Sequence, residues 1–80
     1  MSEFKVDDTL DLRGVLCPIN FVKTKLKLEA METGGRLEVL LDEGDPISNV
    51  PRSVKDEGHT ILKVEKPGEG YYKIVIKKGR

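Results

Sequence analysis

One side chain stands out as a nucleophile: Cys17, the single cysteine, inside the stretch LDLRGVLCPINFVKTKL (10–26). A thiol reacts slowly until it loses its proton. A helix start promotes that loss, because the unpaired N–H groups of the first turn and the helix dipole both favour negative charge. Pro18 follows at once and suits the first helical position, where its missing N–H would have had no partner. That leaves the amides of Ile19 and Asn20 as donors to an anionic sulfur, while Lys23 and Lys25 add positive charge within two turns. On local chemistry alone a Cys-Pro before a helix is a weak signal, and the opposite reading is the stronger: a free cysteine is often a small, buried and inert core residue.

No second group completes a catalytic pair. The single histidine, His59, follows a helix stop at the start of a strand. Strand two and helix two should carry the chain to the opposite end of the fold before it, so His59 reads as a structural or surface histidine rather than a base for Cys17. One cysteine and one histidine give no metal-ligand spacing, and no cofactor is expected. The acidic turn DEGD (42–45) lacks the calcium-loop pattern and reads as a helix cap. The glycines at 34 and 35 end a helix instead of opening one, so no phosphate cradle is expected. The closing KKGR reads as a small, solvated basic tail, with contact to RNA or an acidic partner as the lesser alternative.

The elements that must position Cys17 follow from periodicity. TLDLRG (9–14) alternates and reads as a strand with Leu10 and Leu12 on one face. Residues 18–32 read as a helix, stopped by the glycines of TGG (33–35). RLEVLLD (36–42) is a second strand with Leu37, Val39 and Leu41 facing one way. Asp45 is expected to cap a second helix with Pro46 at its first position, Pro51 to interrupt it and leave a loose first turn before a firmer segment from Val50 to Glu57, and Gly58 to stop it. HTILKVEK (59–66) alternates Ile61, Lys63 and Glu65 against Leu62 and Val64. YYKIVIKKG (71–79) returns after the PGEG turn, making a hairpin with Tyr72, Ile74 and Ile76 on one face. The order β-α-β-α-β-β predicts a two-layer α/β sandwich, with two helices on one face of a four-stranded mixed sheet. The first helix carries two apolar rows, Ile19/Val22/Leu26/Ala30 and Phe21/Leu28/Met31; one should face the sheet, the other the second helix or a partner.

Composition bounds the rest. Eighty residues suffice for one domain, read as residues 1–80. A lone cysteine cannot form an internal disulfide, which points to a reducing cytoplasm. Fourteen basic and fourteen acidic residues cancel, so no global field favours nucleic acid or membrane, and direct binding of either is not expected. Apolar runs fall far short of the roughly 18 residues of a membrane span, and MSEFKVDD lacks the form of a signal peptide.

Taken together, LDLRGVLCP, LEAMETGGRLEVLLDE, the DP opening the second helix, NVPRSVKDEGH and the closing IKK give a chain that resembles the TusA/SirA-like sulfur-carrier family from about Leu10 to Lys78. The family's fold resembles the C-terminal domain of translation initiation factor three, the order already read from periodicity. The resemblance implies a sulfurtransferase-type carrier in which Cys17 takes sulfane sulfur as a persulfide. The donor would be a cysteine desulfurase or a rhodanese-like protein, and a downstream acceptor protein would receive the cargo. Pro18, Ile19 and Asn20 would stabilise the sulfur, and Lys23 and Lys25 would dock partners. A monomer is expected of a protein that visits two partners. The family motif is Cys-Pro-x-Pro; here it reads Cys-Pro-Ile-Asn, so Asn20 restores an N–H and adds a carboxamide. The rival reading is a non-catalytic protein-binding or regulatory module with Cys17 incidental. A redox-sensing thiol is a third, weakened by the lack of a resolving cysteine.

Overall fold

A computed structural model describes residues 6–16 and 18–79. Its elements run β1 (Asp8–Asp11), α1 (Ile19–Glu29), β2 (Arg36–Asp42), α2 (Asp45–Asp56), β3 (Thr60–Gly68) and β4 (Tyr71–Lys77). The strands form one sheet in the order β1-β2-β4-β3. β1 pairs parallel to β2, and the other two pairings are antiparallel. The expected mixed sheet with two helices is the one observed.

The buried layer between helices and sheet follows from alternation. Leu37, Val39 and Leu41 of β2 are fully buried, and they face Ile76, Ile74 and Tyr72 across the β2–β4 ladder. β1 adds Leu10 opposite Val39. Leu12, just past the strand, is 1% exposed and still donates its N–H to the Leu40 carbonyl at 2.9 Å. From the helices come Leu28 of α1 and Val50 and Val54 of α2.

Several boundaries differ from the expectation, each for a local reason. The first strand ends at Asp11 instead of running to 14, because Arg13 and Gly14 turn the chain towards α1. α1 is about a turn shorter than 18–32. Beyond it the Gly34 N–H donates to the Lys78 carbonyl, and the Lys78 N–H to the Gly35 carbonyl, both at 2.8 Å, which draws 34–35 towards the end of β4. The Asp45 cap is not what forms: Gly44 is the capping residue, and Asp45 is the first helical residue, where its charge still complements the helix dipole. Pro51 does not loosen α2. The bond its missing N–H would have made to the Ile47 carbonyl is lost, but the helix runs through, with Val50 and Val54 anchored in the core on the flanking positions. Gly58 stops the helix as expected, with φ +95° in the left-handed region and its N–H on the Lys55 carbonyl.

The basic tail is not simply solvated. Lys78 reaches back so that its Nζ donates to the Met31 carbonyl at 2.5 Å and approaches the Glu29 carbonyl at 3.5 Å. A cation there satisfies carbonyls that the end of α1 leaves without helical partners. In β3 the alternation breaks. Ile61 faces Ile76 and Val64 faces Ile74, with the register shifted between Ile61 and Lys63, so Leu62 and Val64 are not the matched pair the sequence implied.

Candidate functional site

The connection from β1 to α1 is held by side chains on both sides. The Asp11 carboxylate takes Arg13 in a forked contact, Nε to Oδ1 at 3.0 Å and Nη2 to Oδ2 at 2.8 Å, and also accepts the Arg13 backbone N–H at 3.1 Å. The same guanidinium lies 4.8 Å from the centre of the Tyr71 ring on β4. Gly14, at φ +81°, donates its N–H to Asp42 Oδ2 at 2.7 Å. The left-handed conformation favours glycine at that point. Arg13, Gly14 and Asp42 thus fasten the start of the connection to the ends of β2 and β4.

The fork with Arg13 pulls the Asp11 carboxyl down from its ordinary 3.8 to about 2, aided by the Arg13 backbone N–H. A carboxyl lowered on folding adds stability that is complete above the unfolded value and lost as pH falls through the folded one. Asp11 should therefore hold the clamp down to pH near 3.8 and release it towards about 2. An NMR titration of its carboxyl carbon measures this; a midpoint near the ordinary value would mean that the fork is not populated in solution.

Past the clamp, Leu16 is 80% exposed and Pro18 is exposed. Cys17, between them, lies outside the described residues. Pro18 is the capping residue of α1, one position before the place expected for it. Ile19 is half exposed and opens the helix. Asn20 is fully buried. Its side-chain Oδ1 accepts the Phe21 N–H at 2.7 Å, its own N–H donates to the Leu16 carbonyl at 3.2 Å, and its carbonyl accepts the hydroxyl of the equally buried Thr24 at 2.9 Å.

The two apolar rows of α1 separate cleanly. Leu28 is buried, and Phe21 and Met31 pack against the core. Ile19, Val22 and Leu26 stay open at 50%, 44% and 60%, and Ala30 is exposed with them. Lys23 is exposed beside this row and lines a shallow hollow of about 440 Å³ with Leu10, Leu26, Lys27 and Ala30. Lys25 turns to α2, 3.5 Å from Glu57. Leu16 and Val15 line a second hollow of about 480 Å³ together with Asp42, Glu43 and Asp45. Apolar and basic surface thus lies along α1, and Leu16 borders a hollow lined by acidic side chains.

The structure brings Pro18, Ile19 and Lys23 to this open surface, turns Asn20 inward, and commits Lys25 to a helix–helix ion pair. His59 is not among the residues of this surface. Its Nδ1 accepts the Gly79 N–H at 3.1 Å beside Lys25, Glu29 and Lys78, at the end of the sheet where β2 begins. Sequence reasoning missed Leu16, the most open of the large apolar residues among those described, and the Asp11–Arg13–Tyr71 clamp. The i, i+2 charge pair in LDLRG was the available signal for the clamp.

Among known proteins, residues 8–78 match the family model described as "Sulfurtransferase TusA". The chain is 47% identical over 76 residues to an Archaeoglobus fulgidus protein named "Putative sulfur carrier protein", covering 95% of this chain and 86% of that one. A Thermotoga maritima protein of the same name is 40% identical, covering 96% and 98%. The crystal structure of a SirA-like protein from Desulfitobacterium hafniense superposes with a TM-score of 0.77 at 27% identity, covering 91% of this chain and 99% of that one.

Proposed function

This chain belongs to the sulfurtransferase TusA family, a family of sulfur carriers, and from that premise we propose that it accepts a sulfane sulfur on Cys17 and hands it to a second protein. The observation that carries the reading is the open apolar row of Ile19, Val22 and Leu26 along α1, with the exposed Leu16 shortly before the helix. A chain with 35% charged residues leaves such a row uncovered, and a carrier that meets a donor and an acceptor protein needs apolar surface for them to dock on.

The transfer balances without an added oxidant. The Cys17 thiolate attacks the outer sulfur of a donor protein's persulfide. The donor's sulfur–sulfur bond breaks, its thiolate leaves, and Cys17 becomes the persulfide; an acceptor thiolate then repeats the step in the outward direction. Pro18 sets the chain direction into α1, the Ile19 amide and the helix dipole favour the anion, and Lys23 stands where a docking partner would meet it. Lys25 supports the docking face through its pairing with α2. The donor is a cysteine desulfurase or a rhodanese-like protein, the setting is the cytoplasm, and the carrier works as a monomer.

The test is loading. The protein is incubated with a cysteine desulfurase and cysteine and, in parallel, with a rhodanese and thiosulfate, then weighed intact. A gain of ~32 Da, reversed by a thiol reductant, is expected from at least one donor. No gain from either would leave the open row of α1 as the working surface of a binding module with an incidental cysteine.

A further inference from the structure

We propose that His59 is the pH-sensitive half of a clasp that holds the segment after β4 against the C-terminal ends of both helices. The device is separate from sulfur transfer and does not depend on the carrier reading.

Two residues that follow β4 make the clasp. Lys78 holds the α1 side. Its Nζ donates to the Met31 carbonyl, its backbone N–H donates to the Gly35 carbonyl, and its own carbonyl accepts the Gly34 N–H. Gly79 holds the α2 side. It lies so close to the turn that stops this helix that a Cβ at position 79 would stand 2.1 Å from the Gly58 carbonyl oxygen. The opposing atom is backbone, so no rotation of a side chain relieves the contact, and glycine is the residue that fits. The Gly79 N–H donates to His59 Nδ1 at 3.1 Å. His59 is itself tied to α2, its backbone N–H donating to the Val54 carbonyl at 3.3 Å.

An imidazole nitrogen accepts a hydrogen bond only while it carries no proton. The closed clasp therefore holds the neutral ring, with its proton on Nε2. Protonation places a hydrogen on Nδ1, and two donors then face each other across the same gap. The charged groups that line the hollow around His59 are Lys25 and Glu29 of α1, Glu57 at the end of α2, and Lys78. Lys25 and Glu57 pair with each other at 3.5 Å. Two ammonium groups and two carboxylates balance, so the hollow as a whole does not lock the ring in either charge state. Imidazoles ordinarily take up their proton at about pH 6.5. As pH falls through the titration of His59, the Gly79 contact opens. The Lys78 contacts involve no group that titrates there, so the release is one-sided: the α2 side lets go and the α1 side stays.

The test is a nitrogen-15 NMR titration of the full chain between about pH 8 and 5, the range that brackets an ordinary imidazole. Ring nitrogen shifts report the tautomer. Solvent-exchange NMR reports the protection of the Gly79 and Gly34 amides, corrected for the intrinsic pH dependence of exchange. Above the His59 midpoint the ring is expected to carry its proton on Nε2. Below it, Gly79 should lose about fivefold in protection, the ratio that one hydrogen bond of ordinary net strength supports. Gly34 should keep its protection throughout. His59→Asn places a carboxamide oxygen where Nδ1 stood, an acceptor that does not titrate, and should hold Gly79 protection level across the range. A neutral ring protonated on Nδ1 would overturn the proposal. So would Gly79 protection that stays flat through the wild-type midpoint, or that falls equally in His59→Asn. Equal loss at Gly34 and Gly79 would also overturn it, because the whole end of β4 would then be loosening. The wild-type titration decides by itself if the variant fails to fold.

Discussion

Replacing Val22 and Leu26 together by glutamate is expected to slow sulfur loading tenfold or more while leaving the protein folded. Both side chains are largely open, at 44% and 60%, and they share the uncovered face of α1. Glutamate is a good helix former, and surface exchanges of this kind change stability by only about 0.5 kcal/mol. The fold should therefore survive. Docking should not, because two carboxylates would have to be desolvated where a partner expects apolar surface. Tenfold corresponds to about 1.4 kcal/mol of lost docking energy, well within what two interface side chains supply. Initial loading rates at limiting donor measure it, with circular dichroism as the check on folding. Rates within twofold of wild type would move the docking surface away from this row.

The second large effect concerns the core. Leu41→Ala is expected to cost about 2–5 kcal/mol, the usual range for a buried leucine truncated in a packed interior. Leu41 is fully buried, faces Tyr72 across the sheet, and belongs to the same cluster as Leu12. A domain of this size holds only about 4–12 kcal/mol in total, so the loss is a large share of it. Each kcal/mol moves the melting temperature of a small domain by about 4–8 °C; a fall of at least ~8 °C follows. Val64→Ala, at a position 53% exposed on β3, should change stability by about 0.5 kcal/mol or less. Urea unfolding of the two variants compares them directly. Equal losses would mean that the helix-to-sheet layer is not the main source of stability.

The helix–sheet order was legible because Leu37, Val39 and Leu41 on β2 and their partners Ile76 and Ile74 on β4 recur at every second position and declare their face, even though Val75 between the last two is also apolar and 4% exposed. α1 was harder to read for a chemical reason. Its buried face runs Asn20, Thr24, Leu28 with Met31 beside it. Two of those members are polar and satisfied locally, so the row that looks weakest by hydropathy is the one inside. The more regular apolar row, Ile19, Val22 and Leu26, is the one left open. Asn20 was assigned to the sulfur site by position, but its burial depends on hydrogen bonds to Leu16, Phe21 and Thr24 that spacing does not reveal. Lys78 on the end of α1 and Arg13 over Tyr71 join residues far apart in the chain, and no local pattern encodes such meetings. The two register shifts in β3, between Ile61 and Lys63 and between Glu65 and Gly68, escaped for a similar reason. Strict alternation in a short strand cannot report an extra residue that its partner strand does not match.

The most direct test of the carrier reading is cyanolysis of the loaded protein beside Cys17→Ser. After incubation with donor and removal of small molecules, cyanide takes the outer sulfur of a persulfide as thiocyanate and returns the thiolate. About one thiocyanate per chain from the wild type and none from Cys17→Ser is the expected result. Equal thiocyanate from both proteins, or none from the wild type, would contradict a persulfide on Cys17.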